Sequence, residues 1–420
     1  MAARKLGRGV AMVGAGMSQF GAFKDKSSRD LFTDAYLEML GSIDKPMNPG
    51  DIESLYIGNF SSDLFEGQAH TAPLYTETVG LVPRAATRIE NACASAGVAL
   101  RQGIIAIASG LYDVVLVGGA ERMNALPTSK VTEALANAGD RLFEISAGFT
   151  FPGFYAALAS AYMHKFGMTP EALMHVAMKN HDNGALNSKA QFNVSIRGWM
   201  EKRKASAEKK GRPVPTWETE MDFFHDDAAN PFIAWPLRLF DCSPITDGAA
   251  CVLLVAEERA HEFTDKPVRI IGTGQASGYP LHGREDMTTL TSARLASQEA
   301  YDMAGVTADD IRIAEVHDCF TIAEVVATED LGFFAPGEGF KAALDGKTAR
   351  NGSKPINTSG GLKAKGHPVG ASGVAQSVEI FKQMRGEAGE RQVDGDVNLA
   401  VTHNVGATGN TSVVHVYERK

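Results

Sequence analysis

Short apolar runs that end in glycine turns occur at corresponding places in two halves of the chain. Residues 9–13 (GVAMV) lead into a Gly-Ala-Gly turn, and residues 268–271 (VRII) lead into a Gly-Thr-Gly turn. An apolar run of this length followed by glycines is typical of a buried strand. The two runs therefore predict equivalent strands that open two similar halves.

Each predicted strand is followed by a segment with helical periodicity, whose small and apolar positions are Leu31, Ala35 and Met39 in the first half and Ala293, Ala296 and Ala300 in the second. Further along, a small-residue helix at 93–110 precedes a strand at 112–118, and a helix at 370–386 precedes a strand at 397–402. Alternating strands and helices predict mostly parallel sheets covered on both faces. The predicted fold class is α/β, with one βαβ-based plan used twice in α/β/α/β/α layers; two unrelated α/β domains are the alternative.

Residues 125–235 lack this strand and helix rhythm and contain charged runs. An apolar strand predicted at 247–255 would return the chain to the first half. We therefore expect an N-terminal half at 1–124 and 236–262, a C-terminal half at 263–420, and an insertion at 125–235.

Composition narrows the class of protein. A chain of 420 residues with 44% hydrophobic content suits two packed domains or a duplicated one. A formal charge of −9 argues against a nucleic-acid binder, which needs a concentrated basic surface. The basic stretch Met1–Arg8 precedes no signal-peptide core, and no run approaches the roughly 20 apolar residues of a membrane span. We expect a cytoplasmic protein.

The chain has four cysteines, which are Cys93, Cys242, Cys251 and Cys319. They do not form a disulfide framework, and none shows the paired spacing of a zinc site. Free thiols and no metal site are the prediction.

Cys93 lies in the segment Asn-Ala-Cys-Ala-Ser-Ala-Gly, where an apolar helix begins. The positive end of a helix dipole and its unpaired amides lower the pKa of a thiol and offer an oxyanion site. A thiolate can exchange one thioester for another. The alternative is a buried structural cysteine.

A second cluster, His317-Asp318-Cys319, follows an apolar strand predicted at 312–316. Ligand sites of α/β sheets gather at the carboxyl ends of strands. The alternatives are a core histidine at His317 and a helix N-cap at Asp318, for a helix that begins near Phe320.

Two further polar clusters lie near the C-terminus. His367 is held between a glycine and a proline before a small-residue helix, which suits a base. His403, Asn404 and Gly406 follow the last predicted strand, and Gly406 permits close backbone approach to a ligand. None of the glycine-rich turns has the spacing of a phosphate loop or of a dinucleotide fingerprint, so neither ligand is expected.

Together these motifs resemble the thiolase superfamily in content and order, over nearly the whole chain. The His-Asp-Cys-Phe motif at 317–320, with His-Asn-Val-Gly at 403–406, is similar to the sterol-carrier-protein-X type. The resemblance implies the thiolase fold, in which duplicated halves form five layers, with an inserted loop domain at 125–235 that binds substrate and coenzyme A and makes oligomer contacts. It also implies an acyltransferase that cleaves a 3-ketoacyl-CoA with coenzyme A, or performs the reverse Claisen condensation.

The resemblance implies a role for each motif. Cys93 carries the acyl group, and His367 activates the Cys93 thiol. Cys319 is the second acid/base, since Asn404 stands where many thiolases have that cysteine. The oxyanion hole combines the amides of Cys93 and Gly406 with His317 and His367, and a supporting role falls to Asn404 and His403.

Partners also follow from the resemblance. Coenzyme A and acyl-CoA are substrates, no cofactor is covalently bound, and a homodimer or tetramer is expected, with no nucleic-acid or membrane partner. A small accessory subunit with an OB fold and a zinc ribbon accompanies some relatives. Basic residues of the insertion either contact the coenzyme A phosphates or form a solvated face; they are Arg197, Lys202, Arg203 and Lys204.

Two alternative functions stay open. One is a ketoacyl-synthase-like condensing enzyme, which would use Cys93, His317 and His367 and would not need Cys319. The other is a weakly active thiolase-fold scaffold that acts with a partner. Aromatic residues at 149–155 form either core or a pocket for a bulky acyl group.

Overall fold

A nine-stranded sheet runs through the computed structural model, which describes residues 4–419, so that the first residues of the basic stretch Met1–Arg8 lie outside the described range. The strands of the sheet that precede residue 260 are β1 (Val10–Met17), β2 (Ser54–Gly58), β3 (Ala85–Ile89), β4 (Val114–Glu121) and β7 (Gly248–Ala256). Those that follow are β8 (Val268–Ser277), β9 (Ile313–Glu315), β10 (Leu399–Gly406) and β11 (Thr411–Arg419). A separate two-stranded hairpin consists of β5 (Phe232–Ala234) and β6 (Leu237–Arg238).

The order of the strands is β3-β2-β4-β7-β1-β8-β11-β10-β9. The series β2-β4-β7-β1 in one half corresponds to β9-β10-β11-β8 in the other, so the predicted duplication is confirmed. The halves join where β1 pairs with β8, with Val10 opposite Ile270.

The prediction of mostly parallel sheets is wrong for the middle of this sheet. Among the strands of this sheet within residues 4–419, those that pair in parallel are β2 with β3 and β4, and β9 with β10. The β10–β11 hairpin turns back directly on itself, and β7 returns from the insertion between β4 and β1. Both connections place neighbouring strands antiparallel.

Helices cover both faces of each half. They are α1 (Ser28–Gly41), α2 (Ser62–Phe65), α3 (Ala72–Thr78), α4 (Ser95–Ala108), α10 (Thr291–Ala304), α11 (Thr321–Asp330), α12 (Gly339–Leu344) and α13 (Ser372–Arg385). Helix α1 packs on β1 and β7, and α10 packs on β8 and β11. Between them, α4 and α13 pack against each other and against strands of both halves. The result is the predicted sequence of α/β/α/β/α layers.

The two central helices approach so closely because small residues face each other. A Cβ atom added to Gly373 would lie 2.4 Å from the backbone nitrogen of Gly97, a distance that no side chain tolerates. The small residues that the sequence places in these helices are therefore required for packing. This contact brings the segments before α4 and α13, which carry Cys93 and His367, to one end of the central layer.

Between β4 and β7 the chain is mainly helical, with α5 (Thr128–Ala136), α6 (Phe151–Phe166), α7 (Pro170–Ala185), α8 (Ile196–Lys209) and α9 (Glu220–His225). These helices have a hydrophobic core of their own around Phe223 and Phe224, and α6 shares a second core with α11. The predicted return strand is confirmed as β7. None of the helices between residues 4 and 419 combines the length and the apolar composition of a membrane span.

Candidate active site

The four polar clusters meet at one place. Cys93 precedes α4, His317 and Cys319 follow β9, and His367 precedes α13. The Cys93 sulfur and a ring nitrogen of each of His317 and His367 all lie within 4.8 Å of one another. Cys93, Cys319 and His367 line the same cavity, whose walls are mostly apolar. Within residues 4–419, Cys93, His317 and His367 form the one group of His, Cys, Asp or Glu side chains whose spacing could hold a metal ion. The sequence predicts no metal site.

A strained turn presents Cys93 to the cavity. Ala92 has a φ of +48°, in the left-handed region that costs a residue with a side chain about 1 kcal/mol or more. Hydrogen bonds on both sides hold the turn: the Ala92 amide donates to Glu90 Oε1 at 2.6 Å, and Ser95 Oγ donates to the Ala92 carbonyl at 2.6 Å. Strain of this kind persists only where the surroundings determine the backbone, as they do here.

The prediction that the pKa of Cys93 is lowered is wrong in this structure. Burial raises the pKa of the thiol to about 12, because a thiolate is poorly solvated in this cavity. Two backbone amides, those of Ala407 and of Cys93 itself, donate to the sulfur and oppose this effect without overcoming it. Cys93 is therefore a neutral thiol in the free enzyme.

The hydrogen bonds of His367 fix which nitrogen faces Cys93. Ser372 Oγ donates to the Pro368 carbonyl at 2.9 Å, so its single proton is already used. The 2.7 Å contact between Ser372 Oγ and His367 Nδ1 is therefore a hydrogen bond that the histidine donates. This leaves the lone pair on Nε2, which is buried without a hydrogen-bond partner. That atom can accept the proton of Cys93.

Burial also lowers the pKa of His367 to about 3. With the thiol pKa raised and the imidazole pKa lowered, the pair stays neutral until a substrate changes its surroundings. The backbone position of His367 is held separately, by its amide, which donates to Thr246 Oγ1 at 2.9 Å.

His317 has the opposite tautomer. Asn404 Nδ2 lies 3.1 Å from His317 Nδ1, and because an amide NH₂ group can only donate, Nδ1 is the acceptor. The ring proton is then on Nε2, which is buried and has no partner. Burial lowers the pKa of His317 well below its usual range, so the ring is neutral. His317 thus offers one N–H beside Cys93, and Asn404 determines its direction.

Cys319 is buried at the edge of the same cavity. Burial raises the pKa of its thiol well above the ordinary value, and the neighbouring Cys93 adds to the effect. Cys319 is held from the backbone, since its carbonyl accepts a 2.9 Å hydrogen bond from the amide of Ser243. A neutral S–H group is therefore available near Cys93.

Asp318 is not the helix N-cap that was expected. Phe320 precedes α11, and no side chain caps that helix. The Asp318 carboxyl instead accepts hydrogen bonds from the Leu362 amide at 2.6 Å and from Asn180 Nδ2 at 2.8 Å. Burial raises the pKa of Asp318 to about 7. Its structural role is to tie the strand end before Cys319 to the turn before His367.

The turn after β10 approaches Cys93 from the other side. A Cβ atom added to Gly406 would lie 2.5 Å from the Asn91 carbonyl oxygen, so only glycine fits there. The next residue, Ala407, has a φ of +55° and directs its amide at the Cys93 sulfur. Sequence reasoning selected Gly406 and missed Ala407, because nothing in an alanine marks it as a hydrogen-bond donor.

His403 is buried beside this turn, and both of its ring nitrogens lack hydrogen-bond partners. Its carbonyl oxygen accepts a 3.0 Å hydrogen bond from Gln376 Nε2 on α13. Burial lowers the pKa of His403 to about 4. The residue is a neutral core histidine that joins β10 to the central helix.

Three of the basic side chains of the insertion have partners within it. Arg197 pairs with Glu220 at 2.8 Å, Arg203 donates to the Ala229 carbonyl, and Lys204 donates to the Trp217 carbonyl. The fourth, Lys202, lies 5.8 Å from the ring of Trp199. The cavity at Cys93 is lined by none of them among the described residues.

The aromatic residues of the insertion divide between core and cavity. Phe151 lines the cavity, whereas Phe154 is fully buried and stacks on Phe149 at a ring separation of 5.1 Å. Tyr155 is buried against Phe320. Of the aromatic residues at 149–155, Phe151 is therefore the one that lines the cavity, and the others described above belong to the core.

Comparisons with known proteins agree with this arrangement. The family described as Thiolase, N-terminal domain matches residues 10–258, and that described as Thiolase C-terminal domain-like matches residues 274–419. An acetyl-CoA acetyltransferase of Methanothermobacter thermautotrophicus is 42% identical over 98% of this chain and 100% of its own length. Sterol carrier protein 2 of Bos taurus is 30% identical over 97% of this chain and 72% of its own length.

Among solved structures, the fold is shared by a protein described as Ltp2-ChsH2(DUF35) aldolase. That structure has a TM-score of 0.78 and 24% sequence identity, and the match covers 99% of each chain. The family matches span both halves of the chain and include each segment that meets at Cys93. The chain belongs to the thiolase family and is an acyltransferase.

Proposed function

We propose that this thiolase cleaves a 3-ketoacyl-CoA with coenzyme A, or performs the reverse condensation, through an acyl thioester on Cys93. The observation that carries the proposal is the meeting of Cys93, His317 and His367 within 4.8 Å. Cys319 on the same cavity supplies the second thiol that carbon acid chemistry requires.

In the first half of cleavage, the Cys93 thiol gives its proton to His367 Nε2 and the sulfur attacks the 3-keto carbon. The bond between C2 and C3 then breaks, which leaves the acyl group on Cys93 and an electron pair on C2. Cys319 protonates C2, and the fragment that contains C1 and C2 leaves as an acyl-CoA, while the shortened acyl group stays on Cys93. Both protons in these steps have a named donor and acceptor: Cys93 and His367 Nε2 for the first, and Cys319 and the substrate C2 for the second.

In the second half, the Cys319 thiolate takes the proton of incoming coenzyme A. The new thiolate attacks the acyl thioester, the bond to Cys93 breaks, and Cys93 recovers its proton from His367. Condensation runs the same steps in reverse. The burial of both thiols and of His367 favours the neutral forms that begin and end the full cycle.

Negative charge develops on the substrate oxygen twice in this cycle, and donors are stabilising only where that charge appears. We assign this role to His317 Nε2–H and to amides of Cys93 and of the turn at Gly406 and Ala407. Protonated His367 adds a further donor. The support for this assignment is the tautomer of His317 that Asn404 imposes.

The proposed domain division keeps 1–124 with 236–262, the loop domain at 125–235 and the C-terminal half at 263–420. Leu135 and Phe151 of the loop domain line the cavity, which supports a role in substrate selection. Contact of its basic helix, Arg197 to Lys204, with the coenzyme A phosphates belongs to the proposal. The cytoplasmic location expected from the sequence is also part of the proposal.

A partner subunit is a separate part of the proposal. The similar Ltp2-ChsH2(DUF35) structure is named for two components. In this chain the hairpin of β5 and β6 exposes Phe232, Ile233 and Trp235, which supports contact with another chain. We propose a homodimer or tetramer that associates with a small accessory subunit; light scattering of the isolated chain tests the first, and co-purification with a DUF35 protein tests the second.

Mass spectrometry after incubation with acetyl-CoA and acetoacetyl-CoA tests the acyl-enzyme step. We expect one acyl group on Cys93 and none on the Cys93→Ala variant. A chain that no acyl-CoA of a broad panel labels would favour the binding scaffold. Thiolysis of a panel of 3-ketoacyl-CoA esters then ranks acyl chains.

The Cys319→Ala variant separates thiolysis from a ketoacyl-synthase-like reaction. Acyl transfer from acetyl-CoA to Cys93 is expected to persist, because coenzyme A can leave as a thiolate, while carbon–carbon cleavage is lost. Full cleavage activity in this variant would contradict the role of Cys319.

A further inference from the structure

Tyr155 contacts the second catalytic thiol from the insertion. It lies on α6, is 1% exposed, and stacks on Phe320 with ring centres 4.6 Å apart. Phe320 directly follows Cys319, so the stacking fixes the tyrosine ring beside that thiol. The Tyr155 hydroxyl in turn interacts with the Cys319 thiol, and this interaction lowers the pKa of Cys319.

The same hydroxyl has a second partner. It donates to the Ala407 carbonyl at 3.2 Å, in the turn whose amide points at Cys93. A carbonyl only accepts, so in the resting enzyme the Tyr155 proton points to Ala407 and the oxygen is free to accept from the Cys319 thiol. When Cys319 loses its proton, rotation of the hydroxyl turns it into a donor to the sulfur.

A donor is needed there because the surroundings of Cys319 disfavour a thiolate. Burial, Cys93 and the Asp318 carboxyl raise its pKa, while the Phe320 amide lowers it. Two cations complete the charged surroundings. Lys363 is buried and interacts with Cys319, and the half-buried Arg284 interacts with Tyr155 and donates to the Thr408 carbonyl.

We propose that Tyr155 is the positioning residue of the second acid/base: its hydroxyl holds the Cys319 thiol in the resting enzyme and donates a hydrogen bond to the thiolate when C2 of the substrate is protonated. The proton itself moves only between Cys319 and its reaction partner. The inference rests on the proposed role of Cys319 in carbon–carbon bond chemistry.

The Tyr155→Phe variant removes the hydroxyl and keeps the ring on Phe320. Without the donor, the pKa of Cys319 rises. The rate of acetyl-CoA condensation increases with pH as Cys319 loses its proton, and we call this rising part of the pH profile the limb. The limb therefore moves to higher pH by about one unit or more. Near pH 7 the condensation rate falls about 10- to 100-fold. Acetyl transfer from acetyl-CoA to Cys93 slows much less than condensation. Coenzyme A can leave as a thiolate before Cys319 protonates it, whereas the α-carbon cannot lose its proton without a base.

The matched control is Tyr162→Phe on the same helix. Tyr162 is equally buried and donates a hydrogen bond to Glu329, far along α6 from the cavity. We expect this variant to keep the wild-type pH profile, which separates loss of a buried hydroxyl from loss of the donor to Cys319. A Tyr155→Phe variant that folds and keeps both the condensation rate and the position of the limb would overturn the inference.

Cys319→Ala distinguishes the two levels of the argument. If that variant retains condensation, the proposed function of Cys319 fails; if it loses condensation while Tyr155→Phe does not, only the role of Tyr155 fails. Should Tyr155→Phe not fold, replacement of tyrosine by 3-fluorotyrosine in the wild-type chain makes the hydroxyl a stronger donor. The limb must then move to lower pH, and an unchanged limb overturns the inference.

Discussion

Ser372→Ala is the substitution that tests the activation of Cys93 with the least disturbance. It leaves every group that contacts substrate in place and removes only the oxygen that accepts the His367 Nδ1 proton. The imidazole then loses both the contact that fixes its tautomer and the contact that fixes its ring plane. We expect slower acyl transfer to Cys93 in an otherwise intact enzyme.

The size of the effect follows from burial. Nδ1–H would be left without a partner in a site where His367 is 5% exposed, and an unpaired buried polar group costs about 1–3 kcal/mol. If the cost falls on the transition state for proton transfer, acylation slows about 5- to 150-fold. Quenched-flow mass spectrometry of the acetyl group on Cys93, in a single turnover with acetyl-CoA, measures this rate directly.

Ser377→Ala is the matched control. Ser377 lies on the same helix, is also buried, and its hydroxyl contacts Tyr417 Oη at 2.7 Å, away from the cavity. Both variants lose one buried hydroxyl, so thermal unfolding should report similar destabilisation for the two. Only Ser372→Ala should slow acylation. An acylation rate within twofold of wild type in folded Ser372→Ala would refute the assigned tautomer of His367.

Three further predictions address charge and protonation. Asn404→Asp makes residue 404 an acceptor for His317 Nδ1–H, which turns His317 Nε2 from a donor into an acceptor. The kcat should then fall about 10²- to 10³-fold. A kcat near wild type would contradict the oxyanion role of His317. Iodoacetamide should label Cys93 of the free enzyme slowly at pH 7 and about tenfold faster per pH unit up to pH 9, because its pKa is about 12; peptide mass spectrometry showing a plateau below pH 8 would contradict this. Burial raises the pKa of Asp330 to about 7. From about pH 4 to pH 7, the folded chain therefore keeps a proton that the unfolded chain has released. Asp330 consequently destabilises the fold increasingly across this range. Urea unfolding should therefore show Asp330→Asn gaining stability relative to wild type across that range, and a constant difference would refute the shift.

The pattern of the sequence predicted the elements of the fold better than their pairing. The strand at 268–271 and the return strand at 247–255 occur as β8 and β7, because buried runs and glycine turns are local signals. Antiparallel pairing in the middle of the sheet depends on which distant strand lies alongside. No local pattern records that β7 inserts between β4 and β1.

The residues of the candidate site also fall into two groups, those whose roles the local sequence indicates and those whose roles depend on distant contacts. The residue types and the order of the motifs marked Cys93, His317, Cys319 and His367. Asp318 was misassigned because capping is a local interaction, whereas its actual partners, Leu362 and Asn180, lie far away in sequence. Ser372 and Ala407 escaped notice for a related reason, since a serine or an alanine gains a role only from its position in the folded chain.

The protonation of Cys93 shows how magnitudes decide between two correct principles. A helix N-terminus stabilises a nearby anion by at most about 2 kcal/mol. Burial that raises the thiol pKa from its ordinary value of 9.0 to about 12 corresponds to about 4 kcal/mol, so desolvation wins. The helix therefore does not create a thiolate in the free enzyme. Its amides and that of Ala407 act when charge passes from sulfur to the substrate oxygen, where donors already in place lower the barrier without stabilising the resting state.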